Sequence, residues 1–521
     1  TMDLVSPSTN IDLTMKVKIS VDDNDLTWEV TSIKKKDGCA DIATIEIPQL
    51  NLLSTDMSEE NAAFDGVSPS TTTTQSGDSH ITWDNGFNPS TTGTYMYGFL
   101  SNGSLSGGVW SNSEIEDDKR ITMNSGADSM SLTSSVWYYE RGDKNGQAAS
   151  YSYPTSDLPC AKVCIAGDAN GDGDIDWNDG ALAFRDIMNI AQGADDIKDL
   201  VNYRIVMNFA GMATNPYLET ADNIKKVYLA TDGLPQAVML KGYGNEGHDS
   251  ANSEYADVSE REGGITDFQN LIKIAHQYNT EVGIHINAQE AYPEAKSFNE
   301  TMLTSPITNG WGWLDQSFTI NKLWDLGSQA RYKRLVQLYD RINGTSFYSG
   351  NWDKGEYVKD SQGTLNASMS EIAADAAKRT DNMDFIYLDV WYQNAWETRQ
   401  IAKEINSLGW RFSTEFGYEG EYDSTWSHWA TDAAYGGAGL KGWNSEIIRF
   451  LRNDQRDTQI LNYPRYGGTA DNPLLGGYRL YGFEGWGGDQ DYNSYITETF
   501  TENLPTRFLQ HYYVTDWEDY G

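Results

Sequence analysis

Two acids stand out by where they fall along the chain. Asp389 ends the apolar run of "FIYLDVW", and Glu415 follows the run that opens "RFSTEFG". Between them Ile401, Ala402, Ile405 and Leu408 share one helical face, and Gly409 offers a stop. Strand, helix, strand is the unit of a parallel sheet or an α/β barrel, and in a barrel the C-terminal strand ends build the active site. Two carboxylates projecting from successive strands into one cleft suit glycoside hydrolysis, one as nucleophile or base and the other as acid. Acids are also common where a strand meets its loop, so position alone leaves the bland reading standing.

Other side chains add weight to the chemistry. His248 and Asp249 follow one strand-like run in "GHDS", His285 and Asn287 end the next in "HINA", and Trp311 and Trp313 come soon after in "WGWLD". Hydroxyl-binding polar groups beside paired indoles are what a sugar site requires. Singly, each has a plain alternative: a satisfied core histidine, a packed indole. A separate signal is "GDANGDGDIDWNDG", where Asp168, Asn170, Asp172, Gly173, Asp174 and Asp179 fall at the spacing of a calcium loop. Alternate oxygens wrap one hard cation and the glycine permits the turn, so Ca²⁺ is expected here, in a structural rather than a catalytic role. A dockerin module would need a second copy of this loop, and the sequence has none.

The elements that must position these groups fall into two grammars. The first part of the chain reads as β: "IDLTMKVKISV" alternates strictly, and "LTWEV", "ATIEI" and "MSLTSSVWYY" follow between polar loops such as "SPSTTTTQSG". Short strands with long polar connections predict a mostly antiparallel β-sandwich over residues 1–160. A calcium-loop junction follows over 161–200, and then apolar runs alternate with helical segments over 201–521. These runs are "YRIVMNFA", "QAVMLKGY", "EVGIHINA", "FIYLDVW", "RFSTEFG" and, less clearly, "ILNYPRYG" and "GFEGWGG". This repeat fits a (β/α)8 TIM-like barrel best and an open doubly wound sheet second; no GxGxxG opens a helix after the first run. The polar stretch 318–383 is expected to form a helix or two with an excursion over one barrel end.

Composition excludes some partners. A net charge of −38, a pI near 4.3 and a mean hydropathy of −0.58 disfavour nucleic acid and anionic membrane, which need clustered Lys and Arg. Three cysteines argue against a disulfide framework, and Cys160 and Cys164 have no second pair to complete a zinc site. No apolar run approaches the roughly 20 residues that span a bilayer. The abrupt opening "TMDLVSPSTN" is expected to be that of an excised piece, so the lack of a signal peptide leaves a secreted or surface location open.

Taken in order, "GDANGDGDIDWNDGALAFR", "GHDSA", "GIHINAQEAYPEA", "WGWLDQ", "FIYLDVW", "GWRFSTEFGYEGEYDSTW", "NYPRYGG" and "FEGWGG" resemble the catalytic region of glycoside hydrolase family 101. The resemblance runs from about residue 160 to the C-terminus. It implies a retaining endo-α-N-acetylgalactosaminidase, which releases Galβ1-3GalNAc from Ser or Thr of mucin-type O-glycoproteins. It places the nucleophile on Asp389, the acid/base on Glu415, sugar contacts on Asp249, His285 and Asn287, and a lid on Trp311 and Trp313. The family's calcium loop falls on Asp168, Asn170, Asp172, Asp174 and Asp179. The β-rich N-terminal region is then expected to be part of a larger sandwich, with further modules expected beyond "HYYVTDW".

Two positions depart from the family's pattern. Asn252 stands where a His is expected after "GHDSA", and Gly487 where a Gln is expected after "FEGW"; the loop after Asp389, "YQNAW", is also shorter. Both bear on which glycan is preferred. The alternatives are the same mechanism on another α-linked O-glycan core, or a calcium-stabilised glycan-binding protein without catalysis.

Overall fold

The structure, a computed structural model, describes the chain apart from residues 48–49, 57, 60, 69–77, 83–91, 115–118, 127, 142–152, 155–156, 210–214, 313–315, 360–362, 392–393, 416–419, 421, 428–445, 453–491 and 518–521. The first part is the expected antiparallel sandwich. Among the described residues one sheet has eight strands, in the order Met2–Ser6, Ile11–Asp22, Asp25–Lys35, Cys160–Ala166, Ser106–Ser111, Tyr97–Ser101, Ala63–Val67 and Asp78–Thr82. A second has four: Leu53–Asp56, Ser129–Ser134, Ile121–Ser125 and Thr92–Tyr95. Phe64, Leu100, Val109, Ile121, Met123, Met130, Leu132 and Val163 fill the space between them. Because Cys160–Ala166 lies inside the large sheet, the sandwich runs directly into the predicted calcium loop.

Strand Ile11–Asp22 follows its alternation only in part. Leu13 and Met15 are buried, whereas Ile19 and Val21 are exposed. The register against Asp25–Lys35 shifts between Lys16 and Val17, leaving Thr31 of the partner strand as the extra residue, and Ile19 and Val21 still pair with Trp28 and Leu26. On the outer face of the large sheet lies helix α1 (Trp177–Ile187), its Phe184 and Trp177 packed on Phe99. Cys39, Cys160 and Cys164 are free thiols.

Among the described residues the second part carries six parallel strands: β1 (Asn202–Met207), β2 (Gln236–Lys241), β3 (Thr280–Asn287), β4 (Phe385–Asp389), β5 (Arg411–Thr414) and β6 (Trp426–Ser427). Each pairs with the next in sequence, with no reversal of order among the described strands, unlike the doubly wound alternative. Helices α2 (Tyr217–Ala230), α3 (Gly264–Gln277), α4 (Ala330–Asn343), α5 (Met369–Ala376) and α6 (Ala395–Asn406) lie in the connections. Alternate strand residues face two cores. Val238, Leu240, Val282, Ile284, Ile386 and Leu388 pack outward with helix residues such as Phe268, Leu271, Leu335 and Ile401. Tyr203, Ile205, Ala237, Met239, Phe385, Tyr387 and Trp426 meet on the inner face.

The sheet is strongly curled. Tyr203 on β1 and Trp426 on β6, its two outermost strands, stack with ring centroids 4.8 Å apart and planes 4° from parallel. The two further runs predicted to close a barrel, "ILNYPRYG" and "GFEGWGG", lie outside the described residues. The predicted excursion over 318–383 holds α4, α5 and the short helices Lys322–Gly327 and Trp352–Lys354. No helix among the described residues is long and apolar enough to cross a membrane.

Candidate active site

Asp389 is the last residue of β4, and Glu415 directly follows β5, so neighbouring parallel strands deliver both acids to one end of the sheet. Both are buried, and their side chains share a hydrogen bond. The turn between them is unusual. Val390 sits at φ 50°, the left-handed region that a β-branched residue rarely enters, and from there its N–H donates to Glu415 Oε2 at 3.0 Å.

Asp389 is ringed by donors. His285 Nε2 lies 2.6 Å from Oδ2, Lys241 Nζ lies 3.3 Å from the same oxygen, and the Tyr387 hydroxyl donates to Oδ1 at 3.3 Å. Burial alone would raise the Asp389 carboxyl, but the Lys241 charge and the hydrogen-bonded His285 hold it well below the usual carboxylate range. Glu415 goes the other way: burial, the Asp389 charge and the shared hydrogen bond push it up. Two acids in contact thus divide into one ionised and one protonated group, the division that general acid chemistry needs.

Lys241 was not among the residues singled out from sequence. It ends β2 as Asp389 ends β4, so the same end-of-strand position that flagged the acids marked it too. Gly242 behind it, at φ 95°, lets the chain turn close against its neighbours; a Cβ there would meet Asn208 O at 2.2 Å and His248 N at 2.7 Å. His248 is thereby brought under the site, its ring centroid 4.8 Å from that of His285. Burial, with Lys241 and His285 close by, holds His248 well below its ordinary value, so it is neutral. Asp249 lies beside it at 3.3 Å and accepts from Asn252 Nδ2 at 3.3 Å; burial raises its carboxyl. Nearest-ligand atoms of His248, Asp249, His285 and Asp389 all fall within 4.8 Å of one another.

The other predicted contacts divide. Asn287 faces Asp389 in the strand register, but its side chain is committed locally. Its Oδ1 accepts from the N–H groups of Gln289 (2.8 Å) and Glu290 (3.2 Å), and its Nδ2 donates to Glu290 Oε2 at 2.8 Å. Trp311 is 57% exposed, unlike a packed core indole. Its backbone N–H donates to Glu290 Oε1, and its carbonyl accepts from Ser317 Oγ. Trp313 and Gly487 lie outside the described residues.

In the predicted calcium loop the side-chain oxygens turn inward onto the loop's own backbone. Asp168 accepts from Gly171 and Gly173, Asn170 from Asp172, and Asp172 from Asp174. The fully buried Asp179 accepts from Ala169 at 2.6 Å and from Asp176 at 3.0 Å, closing the loop onto the first turn of α1. Gly171 and Gly173 take left-handed backbones at φ 79° and 98°.

Ionised and protonated carboxylates at the ends of successive parallel strands form the constellation on which glycoside hydrolases operate. The sequence model of the family described as endo-alpha-N-acetylgalactosaminidase matches residues 178–496, and that of a galactose mutarotase-like fold domain matches 1–177. The chain belongs to the endo-alpha-N-acetylgalactosaminidase family of glycoside hydrolases. It is 36% identical over 390 residues to a protein of Renibacterium salmoninarum named "Putative endo-alpha-N-acetylgalactosaminidase"; the match covers 75% of this chain and 22% of that one. The chain thus spans less than a quarter of that curated relative's length. Among solved structures, a GH36 alpha-galactosidase, AgaB from Geobacillus stearothermophilus, gives a TM-score of 0.49 at 10% identity, covering 98% of this chain and 68% of that one. The alpha-N-acetylgalactosaminidase NagBb from Bifidobacterium bifidum gives 0.48 at 9% identity, covering 97% and 81%.

Proposed function

We propose that the chain is the catalytic region of an extracellular retaining endo-α-N-acetylgalactosaminidase that cuts the α-bond between a GalNAc-based O-glycan and Ser or Thr of mucin-type glycoproteins. The observation that carries this reading is the contact between Asp389 and Glu415, with Asp389 held ionised and Glu415 held protonated. Inverting enzymes keep their carboxyls roughly 6.5–9.5 Å apart to admit a water, and retaining enzymes about 5–5.5 Å. Acids close enough to share a hydrogen bond stand nearer the retaining spacing than the inverting one, which favours retention.

Asp389 then attacks the anomeric carbon while Glu415 gives its proton to the departing Ser or Thr oxygen. The β-linked glycosyl ester so formed is broken by water, whose proton Glu415 takes back. Lys241 and His285 keep Asp389 anionic until it attacks. The curled sheet supports a (β/α)8 barrel in which further strands close the gap between β6 and β1. The loop 168–179 is proposed to hold Ca²⁺: Asp168, Asn170, Asp172 and Asp179 would supply hard oxygens, with Asp174 at the carbonyl position, and left-handed Gly171 and Gly173 support the tight turn such a loop needs.

The glycan is proposed to be core 1, Galβ1-3GalNAc. A second reading, the same mechanism on another core, draws on Asn252, whose amide is already bonded to Asp249. Aryl α-glycosides test both. Release of phenol with intact Galβ1-3GalNAc supports core 1, and release only from another core supports the second. Binding without release would identify a glycan-binding protein.

A further inference from the structure

We infer that Glu290 is a positioning residue that sets Trp311 against the strand carrying the reaction, an inference that rests on the hydrolase reading above. Glu290 is buried at the start of the strand pair Glu290–Ala291 with Phe318–Thr319, and its two carboxylate oxygens serve different elements. Oε2 accepts from Asn287 Nδ2 at 2.8 Å, and Asn287 is the register partner of Asp389 across β3 and β4. Oε1 accepts from the backbone N–H of Trp311. One side chain therefore joins the catalytic strand pair to the loop that presents an indole which is itself 57% exposed.

The surroundings are shaped for this link. Lys322 Nζ donates to the carbonyls of Gln289 and Ile320 at 2.9 Å each, pinning the residue before Glu290 to the returning strand. Ser317 Oγ donates to the Trp311 carbonyl, so both backbone groups of Trp311 are held while the residue stays largely exposed. Gly310 makes the approach possible: a Cβ there would meet Ser317 Oγ at 2.5 Å and Glu290 Cγ at 2.7 Å.

The chemistry requires a carboxylate. Both partners are donors, and Asn287 cannot turn its amide over, because its Oδ1 already accepts from two backbone N–H groups. A glutamine at this position offers one acceptor to two donors, so one of the two links must break. An exposed aromatic whose backbone is fixed relative to the reacting acids would hold one face of the bound sugar, and freeing that backbone weakens binding rather than chemistry.

The test uses Glu290→Gln, Trp311→Ala and the double variant, with KM and kcat measured on an aryl α-disaccharide of GalNAc. Glu290→Gln is expected to raise KM about tenfold with kcat nearly kept, as loss of a hydrogen bond to a charged group would. In the Trp311→Ala background the same change should add little, because the link then has no ring to place. If Glu290→Gln fails to fold, Gly310→Ala attacks the link from the loop side and should give the same KM rise and the same non-additivity. Unchanged KM, or fully additive effects, would overturn the assignment to Glu290 while leaving the hydrolase reading intact. A wild-type protein that cleaves no aryl α-glycoside would overturn both.

Discussion

Lys241 Nζ stands 3.3 Å from Asp389 Oδ2, with both side chains almost wholly buried. A charge pair so enclosed interacts strongly, and removing one member leaves the other uncompensated. Lys241 lowers the Asp389 carboxyl and also works against the rise of Glu415. Lys241→Met should therefore move the acidic limb of the kcat/KM profile to higher pH by roughly one to three units, the usual effect of a nearby opposite charge. The alkaline limb, set by Glu415 losing its proton, should move up as well. A profile whose acidic limb stays in place would remove Lys241 from the control of Asp389.

A second charge cluster ties the sandwich to the catalytic part. His80, on the edge strand Asp78–Thr82, lies 2.6 Å from Asp65 through Nδ1 and 3.2 Å from Glu446 through Nε2, and Glu446 opens the helix Glu446–Arg452. Burial would lower the imidazole, but hydrogen bonds to Asp65 and Glu446 outweigh it and push the pKa up to about 10 from the ordinary 6.5. A raised folded-state pKa contributes stability that is fully present below 6.5 and lost as pH rises through about 10. His80→Gln should accordingly destabilise most at the acidic end of that window, with melting curves of variant and wild type converging toward its alkaline end. A deficit that grows with pH would contradict the charged-imidazole account.

The acids were legible in the sequence because apolar runs of strand length end on them, and the structure sets both at strand ends. Lys241 carried the same signal in "QAVMLKGY", but a lysine after an apolar run reads equally well as a solvated strand end. The local commitment of Asn287 was not legible, since the Asx-type turn over 287–290 depends on Glu290 folding back beneath it. Nor was the exposure of Ile19 and Val21, which alternate correctly and pair with Trp28 and Leu26, because alternation does not show how far along a strand the covering core extends. Closure of the barrel depends on pairings far apart in sequence, and its candidate strands lie outside the described residues.

Calcium should act on stability first. If the loop 168–179 binds Ca²⁺, chelation should lower the melting temperature, since a ligand held only by the native state stabilises it by mass action. The loop precedes α1, which packs on the large sheet, so activity should fall only as that region loosens. An unchanged melting curve in excess chelator, after metal analysis confirms removal, would count against the site.

The central claim is that Asp389 forms a covalent glycosyl intermediate and Glu415 supplies and removes protons. Asp389→Asn should abolish turnover of every substrate, whereas Glu415→Gln should spare the first step when the leaving group is an activated phenol. The most direct measurement is azide rescue of Glu415→Ala with an aryl α-glycoside, followed by determining the anomeric configuration of the product. Azide needs no general base and attacks the β-linked intermediate on Asp389 from the opposite face, so the account predicts an α-glycosyl azide. A β-glycosyl azide would show that Glu415, not Asp389, is the nucleophile.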